Sequence, residues 1–255
     1  MIVIFIGIIS IKFLMKNNSI GTYYLFRAVS WSHFVKATKD MNSEKLSYGT
    51  ICSRNDLDSK GTKLIDELIK KGDNDTKIIF GKLASYPLRI VMYPSAEAYE
   101  KATNTNGDSF AYTDSYAIYL SLDELNSHNF IHEYTHFKTE SFCKDNYING
   151  LAIPMWFQEG LAEYISFKYS ENNESKSLTR IKNFSELNNQ KEFTKARLDG
   201  YSVYYQSYLA IKKIVELKGE KSIQNILLDS KHMNFSTAFQ KDLGLNIEDL
   251  QKLLK

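Results

Sequence analysis

The stretch His132-Glu133-Tyr134-Thr135-His136 constrains this chain more than any other. Four residues along an α-helix turn the direction by about 400°, so both imidazoles leave the same face, one turn apart. That separation suits two ligands of one tetrahedral Zn²⁺. The Glu between them can approach a water without taking a ligand place. Phe130, Ile131 and Phe137 give the helix an apolar flank that holds it inside a fold. Three of the 5 histidines, His128, His132 and His136, recur four apart here, which a helix with incidental histidines would have to reach by accident.

Two histidines leave a protein metal site short of a third ligand, with one position kept open for chemistry. Trp156-Phe157-Gln158-Glu159-Gly160-Leu161-Ala162-Glu163-Tyr164 supplies the candidate, Glu159. It lies far enough beyond His136 for the chain to leave one helix, turn, and enter another. Pro154 suits the start of that second helix, and Gly160 allows another helix to approach closely beside the metal.

Around these motifs the pattern changes along the chain. Residues 1–15 are almost wholly apolar apart from Lys12. About eleven run without charge, fewer than the roughly 20 of a spanning helix. They read as an export or anchoring segment, although no basic residue precedes them and no small-x-small cleavage site follows. A buried N-terminal element is the other reading. Lys16–Ser53 reads as packed. Asp56–Lys71 has apolar residues at helical spacing, and Gly72-Asp73-Asn74 reads as a break or loosened turn. Leu88–Tyr93 between Pro87 and Pro94 is a strand, Ser95 caps a short helix through Ala102, Thr103–Asp108 is a polar loop, and Ser115–Leu120 is a second strand. From Ser127 onward the chain reads helical over about Ser127–Ser141, Pro154–Ser170, Val203–Leu217, Ser222–Leu228, Ser236–Leu243 and Asn246–Leu254. Polar loops fall at 171–177 and 185–191. Strands first and helices after imply an α+β fold.

Composition excludes two classes of function. The 32 basic and 30 acidic residues, net +2, are scattered, whereas nucleic-acid binding calls for a concentrated basic face. Cys52 and Cys143, the 2 cysteines, form no C-x-x-C pair, so a zinc knuckle or thioredoxin-type site has no support. They could form one disulfide or stand as two buried thiols. At 43% hydrophobic and 13% aromatic the chain can build a large core.

The pair HEYTH…WFQEGLAEY resembles the peptidase MA-like gluzincins, relatives of thermolysin and the zinc aminopeptidases. The resemblance extends to PLRIVMYPSAEAYEKAT, SYAIYLSL, YYQSYLAIKKIVELKGEKSIQNILLDS and AFQKDLGLNIEDLQKLL, covering residues 85–255. It implies His132, His136 and Glu159 as zinc ligands, Glu133 as general base, and Glu163 as a carboxylate that orients a ligand His; an ordinary exposed helix carboxylate is the other reading of Glu163. It implies that Tyr116–Leu120 is an edge strand pairing with a peptide substrate; an interior strand of the same sheet is the alternative. Of Tyr201, Tyr204, Tyr205 and Tyr208, the resemblance favours Tyr204 or Tyr205 as donor to the reaction's oxyanion, although with 17 tyrosines packing explains any single one as well. No G-x-M-x-N sequence precedes the zinc helix, which weakens an aminopeptidase reading.

The expectation is therefore an α+β gluzincin metallopeptidase, with a small strand-containing N-terminal lobe, a helical C-terminal lobe, and zinc between them. The expected divisions are 1–16, a hydrophobic signal or anchor; 17–84, a region of uncertain role; and 85–255, the metallopeptidase domain. Its partners would be a peptide or protein substrate, with no nucleic acid and with membrane attachment through residues 1–15, and its place outside the cell or anchored facing outward. The alternative is a catalytically silent gluzincin-fold binding or sensor module at the membrane.

Overall fold

In the computed structural model of the chain, residues 19–254 are described apart from 48, 55–58, 84–86, 104–110, 114–116, 169–177 and 179. The apolar run 1–15, residues 104–108 of the loop expected at 103–108, the loop expected at 171–177, and Ser115 and Tyr116 of the expected strand thus lie outside the described residues. The fold is α+β, mostly helical with one small sheet. In chain order it runs α1 (Ser19–Thr38), β1 (Asn42–Lys45), β2 (Gly49–Ser53), α2 (Ser59–Phe80), β3 (Leu88–Tyr93), α3 (Ala96–Thr103), β4 (Ala111–Thr113), β5 (Ile118–Ser121) and α4 (Ser127–Asp145). Then follow α5 (Met155–Lys168), α6 (Gln190–Leu198), α7 (Val203–Lys218), α8 (Lys221–Asp229), α9 (Phe235–Leu243) and α10 (Ile247–Lys252).

The sheet order is β1-β2-β3-β5-β4. Its three middle strands are parallel and each outer strand pairs antiparallel. Parallel neighbours need a crossover, and α2 and α3 supply them between β2, β3 and β5. Strand β3 is covered on both faces. Leu88, Ile90 and Met92 enter the main core, while Val91 and Tyr93 join Phe34, Cys52, Tyr99, Ala117 and Tyr119 in a smaller cluster. The period of two places successive side chains on opposite faces. The run is therefore apolar without alternation, as strands buried on both faces are.

Several local expectations need correction. β5 is an interior strand, between β3 and β4; the outer strand is β4. Three residues at the end of a polar stretch carry no alternation by which sequence could find it. Helix α2 does not break at Gly72-Asp73-Asn74 but runs through to Phe80. A Cβ on Gly72 would sit 2.5 Å from Cδ1 of Tyr134, so that glycine makes room for the zinc-helix candidate α4 and does not end a helix. The neighbouring Asp73 accepts a 2.7 Å hydrogen bond from the Tyr134 hydroxyl. The stretch 185–191 is not a plain loop: Leu187 is buried, as is Phe184 just before the stretch, and α6 begins at Gln190, capped by Asn189 accepting from Glu192 N. Strands β1 and β2, within 17–84, join the same sheet as β3. Cys52 and Cys143 are free, buried thiols; they belong to different clusters. Ser95 caps α3 as expected, its Oγ accepting from Ala98 N at 3.2 Å.

Candidate metal centre

Two helices bring the centre together, and a third closes over it. Helix α4 starts where Asn126 accepts from Asn129 N at 2.9 Å, satisfying a donor the helix end would otherwise leave open. Helix α5 follows Pro154, and its first turn is pinned by Trp156, whose ring lies 4.3 Å from that of Phe184 and 5.6 Å from Phe157. Each such aromatic pair contributes about 0.5–1.5 kcal/mol beyond burial. Helix α7 approaches α5 so closely that a Cβ on Gly160 would sit 2.4 Å from the Ser207 carbonyl oxygen. Glycine is required there by space, as the sequence suggested.

The result is a tight triangle of donor atoms. Nε2 of His132 and Nε2 of His136 are 3.1 Å apart. Oε2 of Glu159 lies 3.2 Å from the first and 3.5 Å from the second. A tetrahedral zinc with ligands at about 2.0–2.1 Å sets its donors about 3.3–3.4 Å apart, and the three measured separations bracket that edge. The donor set of two imidazoles and one carboxylate is also that of a catalytic zinc with an open fourth position. The residues present therefore fit the ion.

Glu163, one turn beyond Glu159, is buried at 9% exposure, not an ordinary surface carboxylate. Its Oε1 lies 3.2 Å from Nδ1 of His132 and its Oε2 lies 3.5 Å from Nε2 of His128. An Nδ1–H directed at Glu163 leaves the Nε2 lone pair of His132 facing the triangle. Burial alone would lower the pKa of His132, but the hydrogen bonds and charges of Glu159 and Glu163 outweigh it and raise it well above the usual value. Burial would likewise raise Glu159, yet His136 and His132 hold its carboxyl well below the usual range. The two carboxylates favour positive charge in the pocket, as the raised His132 pKa reflects.

Glu133 is buried on the same helix and accepts a 2.7 Å hydrogen bond at Oε2 from the Thr113 hydroxyl. The two tyrosine candidates separate. The Tyr204 ring is 6.3 Å from that of His132 and packs edge-on against Phe193 at 5.1 Å. Tyr205 stacks on Tyr208 at 5.8 Å. Tyr204 is 36% exposed over the whole residue, yet desolvation by the groups packed around it and the nearby Glu159 carboxylate both raise its pKa, so its hydroxyl keeps its proton. Two contributors escaped sequence reasoning. His128 was visible as the third histidine of the series but had no role. Thr113 gave no signal, because its link to Glu133 spans twenty residues and two elements.

Residues 93–247 match the family model for collagenase, peptidase family M9, over more than half of the chain. This chain belongs to the collagenase family. As a collagenase-family member with a His-His-Glu donor set it is a gluzincin-type protein, and its cofactor is Zn²⁺. Among solved structures it is similar to an M1 zinc metallopeptidase from Deinococcus radiodurans, with 13% identity and a TM-score of 0.49. A single-substitution mutant of that enzyme gives 14% and 0.45. Each likeness covers 83% of this chain and 50% of the other, so the chain spans about half the length of these neighbours. No curated protein matches it.

Proposed function

We propose that this collagenase-family chain is a zinc-dependent endopeptidase. His132, His136 and Glu159 hold the ion, between the strand-bearing and helical parts of the fold, and Glu133 is the general base. The observation that carries the reading is the donor triangle at tetrahedral spacing with a buried carboxylate, Glu133, next to it in sequence but outside it. When bound, Zn²⁺ polarises a scissile carbonyl and makes a water acidic near neutral pH. Glu133 takes the proton from the attacking water and passes it to the leaving amine. Tyr204, close to His132 and holding its proton, donates to the oxyanion of the tetrahedral intermediate. Glu163 keeps the His132 ring in register. An extended peptide pairs with the outer edge of β4, where backbone hydrogen bonds bind it with little demand on side chains.

The family name makes gelatin the first substrate to try. Glu133→Gln preserves size and hydrogen bonding but removes the basic carboxylate. Its zinc content should equal the parent's while cleavage of fluorescein-labelled gelatin or casein falls by about 10²–10⁴-fold. Parent-rate cleavage by Glu133→Gln sinks Glu133 as base. A zinc-loaded parent that cleaves neither protein favours the catalytically silent module.

Among the described residues no helix is long and apolar enough to cross a membrane. The apolar composition of residues 1–15 supports export or anchoring with the catalytic part outside the cell, and recovery of the full chain from cytosol alone would overturn that.

A further inference from the structure

Glu133 presents a problem of placement. The residue is only 7% exposed, and its carboxyl group is carried on three rotatable side-chain bonds. A buried carboxylate needs donors, and a general base must face one direction. Among the described residues, Thr113 is the one hydrogen-bond donor to that carboxylate, at 2.7 Å from Oε2. Its hydroxyl is also 2.9 Å from the backbone oxygen of Glu133. Thr113 is not itself adrift: it ends β4, paired with the fully buried Ile118 of β5.

We propose that Thr113 is a positioning residue for the reaction, fixing Glu133 from the outer strand of the sheet. The reading rests on Glu133 being the base. The hydroxyl has one hydrogen and two oxygens of the same residue in reach. Toward the ionised carboxylate it donates to Oε2, since a charged acceptor gives the stronger bond, and Oε1 is left for the water. Once Glu133 has taken the water's proton on Oε1, Oε2 is the carbonyl oxygen of the acid and still accepts from the Thr113 hydroxyl. No proton leaves or joins Thr113, and Glu133 stays held in both halves of the cycle. A serine can do the same; a valine of equal shape cannot.

This makes β4 more than an edge. The strand that a peptide would pair with is the strand that aims the base, so ordering β4 and aiming Glu133 are one event.

The test compares Thr113→Val and Thr113→Ser with the parent, all zinc-loaded, and reads three quantities: zinc content, kcat and KM on fluorescein-labelled gelatin, and the Glu133 rotamer in crystal structures. Zinc content should be unchanged throughout. Thr113→Val should lower kcat about tenfold or more, the scale of one hydrogen bond to a charged group, leave KM within about twofold, and spread Glu133 over several rotamers. Thr113→Ser should restore both rate and rotamer. In a Glu133→Gln background the Thr113→Val change should cost nothing further in rate. A Thr113→Val structure with Glu133 in its single parent rotamer overturns the proposal whatever the rates, and needs no activity to be read. A kcat loss of equal size in the Glu133→Gln background also overturns it, because Thr113 would then act elsewhere. Full activity of Glu133→Gln itself sinks the base assignment and not the placement. Should Thr113→Val fail to fold, Thr113→Ala carries the same readings.

Discussion

Replacing Gly160 by alanine tests how the metal centre is held. The added Cβ would lie 2.4 Å from the Ser207 carbonyl oxygen, 2.7 Å from its carbonyl carbon and 2.9 Å from Cγ1 of Ile211. Ordinary contact begins near 3.4 Å, so α5 and α7 must separate by about 1 Å at this point. The two nearest atoms are backbone, which cannot rotate away. Two effects oppose each other. Alanine in a helix interior is worth about 0.5–1 kcal/mol over glycine. Overpacking a tight interface costs about 1–3 kcal/mol. The second wins, because the clash is with backbone and not with a flexible side-chain end. A net loss of about 1–2 kcal/mol lowers Tm by about 2–8 °C in a chain of this size. Glu159 is the preceding residue and Tyr204 lies one turn before Ser207, so the same separation moves a proposed ligand carboxylate and a proposed oxyanion donor. Thermal unfolding of the metal-free protein and competitive zinc titration against a chelator measure the two consequences. A Gly160→Ala protein at least as stable as the parent, with equal zinc affinity, would refute the claim that the α5–α7 approach sets the site.

The other predictions are shorter. Glu159→Ala and His136→Ala should each lose most bound zinc. Glu163→Ala should weaken binding only about 10–100-fold, since it acts through His132; metal analysis after dialysis ranks them. Tyr204→Phe should lower kcat by about 10²–10³-fold with zinc retained, as loss of an oxyanion donor does, while Tyr205→Phe, stacked away on Tyr208, should keep parent kinetics. Burial pushes the Cys143 thiol up to about 12 and raises Cys52 as well. A disulfide reagent at pH 8 should therefore find no thiol in the native protein and both after denaturation. Because these pKa values are raised by folding, their stabilising effect is full below about pH 9 and is lost as pH climbs toward 12. An alkaline shift of unfolding that leaves stability flat across that range would count against the burial of Cys143.

What could be read from the sequence was the chemistry carried within single helices. His132 and His136 are fixed by helical geometry alone, and Glu159 and Glu163 share the next helix at one-turn spacing. The unread parts depend on contacts across elements. Gly72 looks like a helix breaker when only its neighbours are considered; its meaning lies in the Tyr134 ring. Strand β4 is too short to show a period, and its place outside β5 is decided by pairing that the sequence does not display. The separation of Tyr204 from Tyr205 is one residue in sequence but a 100° turn on α7, enough to direct one toward His132 and the other toward Tyr208.

Three buried carboxylates within one centre would ordinarily repel one another and resist ionisation. Here Glu159 and Glu163 share His132 through its two ring nitrogens, and Glu133 has a partner of its own. Glu159 faces the imidazole pair, Glu163 bridges His132 and His128, and Glu133 takes the Thr113 hydroxyl. The partners come from different directions: three histidines from the face of α4 turned toward α5, and Thr113 from the sheet edge. That arrangement explains why Glu133, beside a ligand in sequence, is not drawn into the cation site. A carboxylate held by a hydroxyl from the opposite side loses a good hydrogen bond if it swings toward the metal. The same separation lets the proposed ligand and base functions be altered independently: changes at Glu163 should act on metal affinity and changes at Thr113 on turnover. Were Glu133 to share the imidazoles with Glu159 and Glu163, the two functions could not be divided in this way.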